Sequence, residues 1–160
     1  MASVAASPTA ERGTAPAVRT CYDLLEVMRA AGMTDFTDGK YLDDRNDRSA
    51  YLAAQERQAE YLLDQARCGP GTRLLDIGCG YGRILEHAAR RGARPVGITI
   101  SAMQMADCRW RGLDVRDLNY RDIFRGADES WACAFDAVVA NGSLEHFVQP
   151  ADAAAGRADA

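Results

Sequence analysis

The stretch LLDIGCGYGRIL, Leu74 to Leu85, decides the fold. An apolar run carrying Asp76 ends at Ile77. Gly78, Gly80 and Gly82 then alternate with Cys79 and Tyr81, and from Arg83 the apolar positions take helical spacing. Buried strand, glycine turn and helix in succession are the opening unit of a parallel α/β sheet. Ligands of such sheets bind beyond the carboxyl ends of the strands, near the point where strand order reverses. Glycines there remove Cβ atoms, allow positive φ and let a ligand touch backbone. A helix starting near Gly82 aims its free N–H groups at the same place.

Outward from this unit the pattern repeats. TRLLDI (72–77), RPVGITI (94–100), LDVRDLNY (113–120) and AFDAVVAN (134–141) read as four strands. RILEHAARR, closed by Gly92, and SAMQMADCRWRG, with Ser101 as N-cap and Gly112 at its end, read as the helices between the first three. Upstream, DRSAYLAAQERQAEYLLDQARC is an amphipathic helix with Ser49 as N-cap and Leu52, Leu62 and Ala66 on or near its buried face. It is stopped by Gly69–Pro70–Gly71. A shorter helix places Tyr22, Leu25 and Met28 at helical spacing before Gly32, and Pro150 opens a last one. The expected architecture is a Rossmann-like parallel sheet of four strands with N-terminal helices. One domain spans residues 20–160, after a disordered segment at 1–19 rich in Ala, Ser, Thr and Pro.

Composition removes several function classes. The chain has 160 residues, 48% hydrophobic and 26% charged, which suits one soluble globular domain. The net charge of −4 and the lack of a basic stripe give nucleic acid no foothold. Five scattered cysteines without C-x-x-C spacing argue against a disulfide framework or a zinc site and fit a reducing cytoplasm. No secretory signal and no run of membrane-spanning length is present, so any lipid contact is peripheral.

Two ligand classes compete for the glycine loop. A dinucleotide loop, G-x-G-x-x-G, needs its third glycine where this chain has Arg83. The order D-x-G-x-G-x-G favours S-adenosylmethionine, which brings an amino-acid end, a ribose and an adenine but no pyrophosphate. Asp76 can hold its ammonium, and the backbone at Gly78, Cys79, Gly80 and Gly82 can meet the amino acid. No acid follows the second strand to bind ribose. Gln104, one turn into the next helix, is the available bidentate group, unless it is simply a solvated helix residue. Asp122 can accept from an adenine amino group beside Arg121, or the segment is a surface turn. Glu145 and His146 follow the fourth strand, where a reacting group would sit. Read alone, such a histidine is more often packed or capping. His87 is assigned no chemistry.

LLDIGCGYG, VGITISAMQ (96–104), LNYRDI (118–123) and ANGSLEHF (140–147), in that order, resemble the class I S-adenosylmethionine-dependent methyltransferases. Among these they are most similar to the cyclopropane-fatty-acid synthase and mycolic-acid methyltransferase family, from about Met33 onward. The resemblance implies a seven-stranded sheet, of which this chain supplies the first four strands. On this reading the domain is incomplete at its C-terminus and its fourth strand is a bare apolar edge. It implies that Phe36 and Thr37 serve the methionine end, that Thr99, Ile100, Ser101 and Gln104 line the ribose, and that Asn141 borders the cofactor. It implies methyl transfer to a cis double bond of a lipid acyl chain, with Glu145 helping to hold bicarbonate as the base of ring closure. The family's upstream Tyr-Ser-Cys-x-Tyr-Phe reads FTDGKY here, Phe36 to Tyr41, and Asp38 or Gly39 replaces the bicarbonate cysteine. That departure weighs against bicarbonate-assisted closure and less against plain methyl transfer. It keeps open a different small-molecule acceptor, and beside it a non-catalytic cofactor-binding fragment that pairs through its exposed edge.

Overall fold

The structure, a computed structural model, describes residues 39–45, 47–124 and 131–144, with the single positions 20 and 27. The segment 1–19, the helices expected near 20–32 and after Pro150, and Phe36, Thr37, Asp38, Glu145 and His146 lie outside the described residues.

Helix α1, Arg48–Gln65, is capped by Asp47, whose carboxylate accepts from the Ala50 amide at 2.9 Å. Ser49 was the expected cap. The Asp47 oxygen reaches an orphan amide one turn ahead, so the helix starts earlier. The centre of its buried stripe is Ala50, Ala54, Ala59 and Leu63. Leu62 and Ala66 flank that centre, partly buried against the core. Small residues at these positions let the helix lie close to its neighbours.

Four parallel strands follow: β1 Arg73–Ile77, β2 Arg94–Thr99, β3 Val115–Asp117 and β4 Ala137–Val139, ordered β3-β2-β1-β4. Helix α2, Arg83–Arg90, joins β1 to β2, and α3, Ala102–Trp110, joins β2 to β3. The chain moves one way from β1 to β3, then returns to place β4 on the far side of β1. The switch point is therefore at β1, whose Asp76 is paired with Gly97 on one side and Val139 on the other. One apolar cluster gathers Leu63, Leu74, Ile84, Ala88 and Val139, and a second gathers Cys79, Leu85, Cys108 and Val115.

Two strands are shorter than expected. β3 ends at Asp117, and Tyr120 begins a one-turn helix α4, Tyr120–Phe124. Asn119 causes the break: its side-chain oxygen accepts from the Arg121 amide at 3.1 Å and its carbonyl from the Asp122 amide at 2.9 Å. β4 begins only after Asp136. There the carboxylate grips the Arg73 guanidinium at 2.7 and 3.1 Å and the Arg73 amide at 2.8 Å, fixing the register of β4 on β1. Among the described residues β4 pairs only with β1, and Val138 is 56% exposed.

Candidate functional site

The glycine loop lies at the switch point. Gly78, Gly80 and Gly82 all have positive φ, 75°, 54° and 78°. Their reasons for being glycine differ. A Cβ on Gly78 would lie 2.5 Å from Ser143 Cβ, and one on Gly82 would lie 2.5 Å from Leu113 Cδ1 and 3.2 Å from Cys108 Sγ. A Cβ on Gly80 would meet nothing within 4 Å among the described residues. Gly78 and Gly82 are thus demanded by the fold itself, and Gly80 alone of the three faces open space among the described residues. The amides of Gly78 and Cys79 both donate to the Ile98 carbonyl, at 2.9 and 3.0 Å, and tie the loop to β2. The Cys79 side chain turns inward, into the second core cluster.

Asp76 sits under this loop at 1% exposure, and its Oδ2 has no hydrogen-bond partner among the described residues. Burial alone pushes its carboxyl up to about 7. A buried, unpartnered carboxylate oxygen beside a backbone opening suits a cationic, hydrogen-bonding ligand. Native structures rarely leave such an oxygen orphaned without a functional reason.

The end of β2 is built from its own polar groups. Ser101 caps α3 as expected, accepting from the Gln104 amide at 3.4 Å. Thr99 Oγ1 donates to Gln104 Oε1 at 2.8 Å and accepts from the Ser101 amide at 3.2 Å. Gln104 is buried, not solvated, and its rotamer is fixed by Thr99; Ile100 is half-buried at the turn. Arg121 and Asp122 are half-buried in the first turn of α4, with Arg121 Nε 3.1 Å from the Tyr120 hydroxyl. Beyond β4, Asn141 Oδ1 lies 3.5 Å from Gln58 Nε2 of α1. Ser143 donates to the Ile77 carbonyl at 2.7 Å, so the loop after β4 is fastened to the start of the glycine loop.

The described part of the site thus brings together Asp76, the three glycines and Cys79, with the ends of β2 and β4 around them. Three features escape sequence reasoning. Ser143 has no motif of its own. Gly97 has a legible signal, a glycine inside a strand: a Cβ there would lie 2.7 Å from Cys79 Sγ. His87, 4% exposed, is clasped by Glu56, 2.9 Å from Nε2, and by Glu60 on Nδ1; Arg91 also pairs with Glu60 and with Asp64. Its signal was the complementary i, i+4 spacing of Glu56/Glu60 on α1 and of His87 on α2 with Arg91 at its C-cap. This cluster locks α1 to the helix that carries the glycine loop. Among the described residues no group of three or more His, Cys, Asp or Glu could hold a metal.

Comparison with known proteins fits this geometry. The family described as mycolic acid cyclopropane synthetase matches residues 36–153. A probable fatty acid methyltransferase of Mycobacterium tuberculosis is 36% identical over 108 residues, covering 63% of this chain and 24% of that protein. The cyclopropane-fatty-acyl-phospholipid synthase of Escherichia coli K12 is 38% identical over 99 residues, 59% of this chain and 24% of that enzyme. The matched region is therefore about a quarter of the length of these relatives. The solved structure of mycolic acid cyclopropane synthase CmaA1 complexed with SAH and CTAB superposes with a TM-score of 0.69 at 22% identity, over 86% of this chain and 48% of that one. It shares the parallel-sheet fold.

Proposed function

The chain belongs to the mycolic acid cyclopropane synthetase family, and from this premise we propose that it binds S-adenosylmethionine and serves methyl transfer to an unsaturated lipid acyl chain. The observation that carries the reading is the Oδ2 of buried Asp76, orphaned among the described residues, beside a loop whose Gly80 meets no described atom within 4 Å of a Cβ. Bound S-adenosylmethionine supplies an electrophilic methyl group. The chain's own residues bind and orient. Asp76 holds the ammonium, directly or through water, and the backbone around Gly80 receives the amino-acid end with Phe36 and Thr37. Gln104, its Oε1 already engaged by Thr99, meets a ribose hydroxyl through its amide nitrogen. Arg121 and Asp122 take the adenine, and Asn141 borders the methyl side. Glu145 and His146 are assigned to the reacting end, where a carboxylate would stabilise developing positive charge. Asp38 or Gly39 supplies no thiol in place of the family's cysteine, so the reading stops at methyl transfer and includes no bicarbonate step.

The lipid is met from the cytoplasmic side as a peripheral contact; among the described residues no helix is long and apolar enough to cross a membrane. The departure at Asp38 or Gly39 favours one second reading, methyl transfer to another small molecule. Incubation with methyl-labelled S-adenosylmethionine and vesicles of cis-unsaturated phospholipid separates the two. Label in the lipid fraction supports the first reading. Label only in soluble acceptors supports the second, and cofactor binding without any transfer overturns both.

A further inference from the structure

Beneath the glycine loop lie two thiols that the cofactor reading leaves unused. Cys79 in the loop and Cys108 on α3 are both buried and share a cluster with Leu85 and Val115. Their sulfurs converge on one atom, the Gly80 carbonyl oxygen, Cys108 Sγ at 3.5 Å and Cys79 Sγ at 3.8 Å. Arg111 Nη2 stands 3.6 Å from Cys108 Sγ, and its guanidinium is anchored by Asp107 at 2.6 Å and by Glu86. The groups facing the pair are thus Arg111, Asp107 and Glu86 beside Cys108, and Asp76 beside Cys79. The neighbouring Cys79 thiol and then Arg111, against the cost of burial, hold Cys108 below the ordinary thiol value. The Cys108 thiol, burial and the Asp76 carboxylate push Cys79 well above it. Of the two, Cys108 is the one shifted toward the nucleophilic thiolate form.

We propose that Cys79 and Cys108 form a redox modification site, converted by hydrogen peroxide to an intrachain disulfide that shuts the glycine loop against its ligand. The Cys108 thiolate attacks a peroxide oxygen; the O–O bond breaks, an S–O bond forms, and the departing hydroxide takes a proton to become water. Cys79 sulfur then attacks the Cys108 sulfenic sulfur; the S–O bond breaks, the S–S bond forms, and the hydroxyl leaves as water with the Cys79 proton. Two thiols are oxidised by two electrons, and one peroxide is reduced to two waters.

The bond acts on the loop because it ties two elements of the site together. Closing the sulfurs to about 2.05 Å pins Cys79, and with it the Gly80 carbonyl that both sulfurs face, to helix α3, which carries Gln104. The effect on binding rests on the cofactor reading; the bond itself does not.

The test treats the reduced chain with hydrogen peroxide, blocks remaining thiols with iodoacetamide and maps peptides without reductant. S-adenosylhomocysteine is titrated before treatment, after it, and after dithiothreitol. The expected result is a linked Cys79–Cys108 peptide lighter by two hydrogens and a Kd raised at least about tenfold, about 1.4 kcal/mol, restored by dithiothreitol. Cys108→Ser and Cys79→Ser each abolish the linked peptide. Cys133→Ser, which removes an exposed thiol, leaves it in place. Alkylation of both cysteines after peroxide, or linkage of either to another cysteine, overturns the site. A linked peptide with unchanged Kd overturns the shutting of the loop. A reduced chain that does not bind S-adenosylhomocysteine overturns the cofactor reading, and the linked peptide then judges the site alone.

Discussion

Replacing Asp76 with Asn tests whether the orphaned carboxylate is kept for a ligand at the expense of the fold. Burial raises this carboxyl from 3.8 to about 7. Between those values the folded chain holds a proton that the unfolded chain has released, so unfolding free energy falls as pH rises. The contribution is fully present below the unfolded value near 3.8 and is lost as pH climbs through about 7. At ~1.4 kcal/mol per pH decade the cost above pH 7 is at most about 4 kcal/mol. Asn is neutral at every pH and removes it, less about 1–3 kcal/mol if the new amide finds no partner. D76N is therefore expected to melt higher than the parent at pH 8 by a few degrees, at roughly 2–4 °C per kcal/mol. The advantage of D76N shrinks as pH falls and is gone near pH 4, where the buried carboxyl of the parent is protonated. A cationic ligand favours the ionised carboxylate, so S-adenosylhomocysteine affinity of the parent rises from pH 6 to 8. D76N loses that pH dependence and about tenfold or more in affinity. Thermal melts across pH 4–9 and titrations at three pH values read all of this. A parent whose melting temperature is flat from pH 5 to 8, or a D76N chain less stable than the parent at pH 8, refutes the reasoning.

Other expectations follow from the same geometry. Gly82→Ala forces a Cβ against Leu113 at positive φ, which costs about 2–4 kcal/mol in denaturant unfolding. Gly80→Ala meets open space and costs about 1 kcal/mol, while weakening S-adenosylhomocysteine binding far more than stability. His87→Ala unclasps Glu56 and Glu60 between α1 and α2; a loss of about 1–3 kcal/mol is expected by urea unfolding, and a variant as stable as the parent would show the clasp idle. Glu60 is held below the ordinary carboxylate value first by His87 and then by Arg91. Its contribution is present above the unfolded value of 4.5 and fades as pH falls below it, so Glu60→Gln should flatten the acid limb of the stability curve.

The strand–loop–helix unit at Leu74–Leu85 was legible because every local signal agreed: an apolar run, three glycines, then a 3.6-residue period. The Ser101 cap and the closing glycines at 92 and 112 were legible for the same reason. β3 was read too long because Leu118–Tyr120 looks like strand by composition, whereas the Asn119 side chain ends it. The α1 cap was misplaced by two residues because Asp47 and Ser49 are both good caps, and only geometry shows which oxygen reaches Ala50. At the site the motif correctly picked out the three glycines, but not that Gly78 and Gly82 answer to Ser143 and Leu113. Those contacts come from the loop after β4 and the turn before β3, which no local pattern around the loop records. The inward turn of Cys79 onto Cys108 was hidden likewise, since 28 residues separate Gly80 from its second thiol partner.

Calorimetric titration of the purified chain with S-adenosylhomocysteine, beside Gly80→Asp, tests the cofactor site most directly. Gly80 is the loop glycine whose Cβ would meet no described atom within 4 Å, so a loss of binding far beyond the small cost of its positive φ reports the ligand's space. Saturable single-site binding by the parent, abolished in Gly80→Asp with the melting temperature nearly unchanged, is the predicted result. A folded parent that takes up no ligand, or a Gly80→Asp chain that binds as well as the parent, would contradict it.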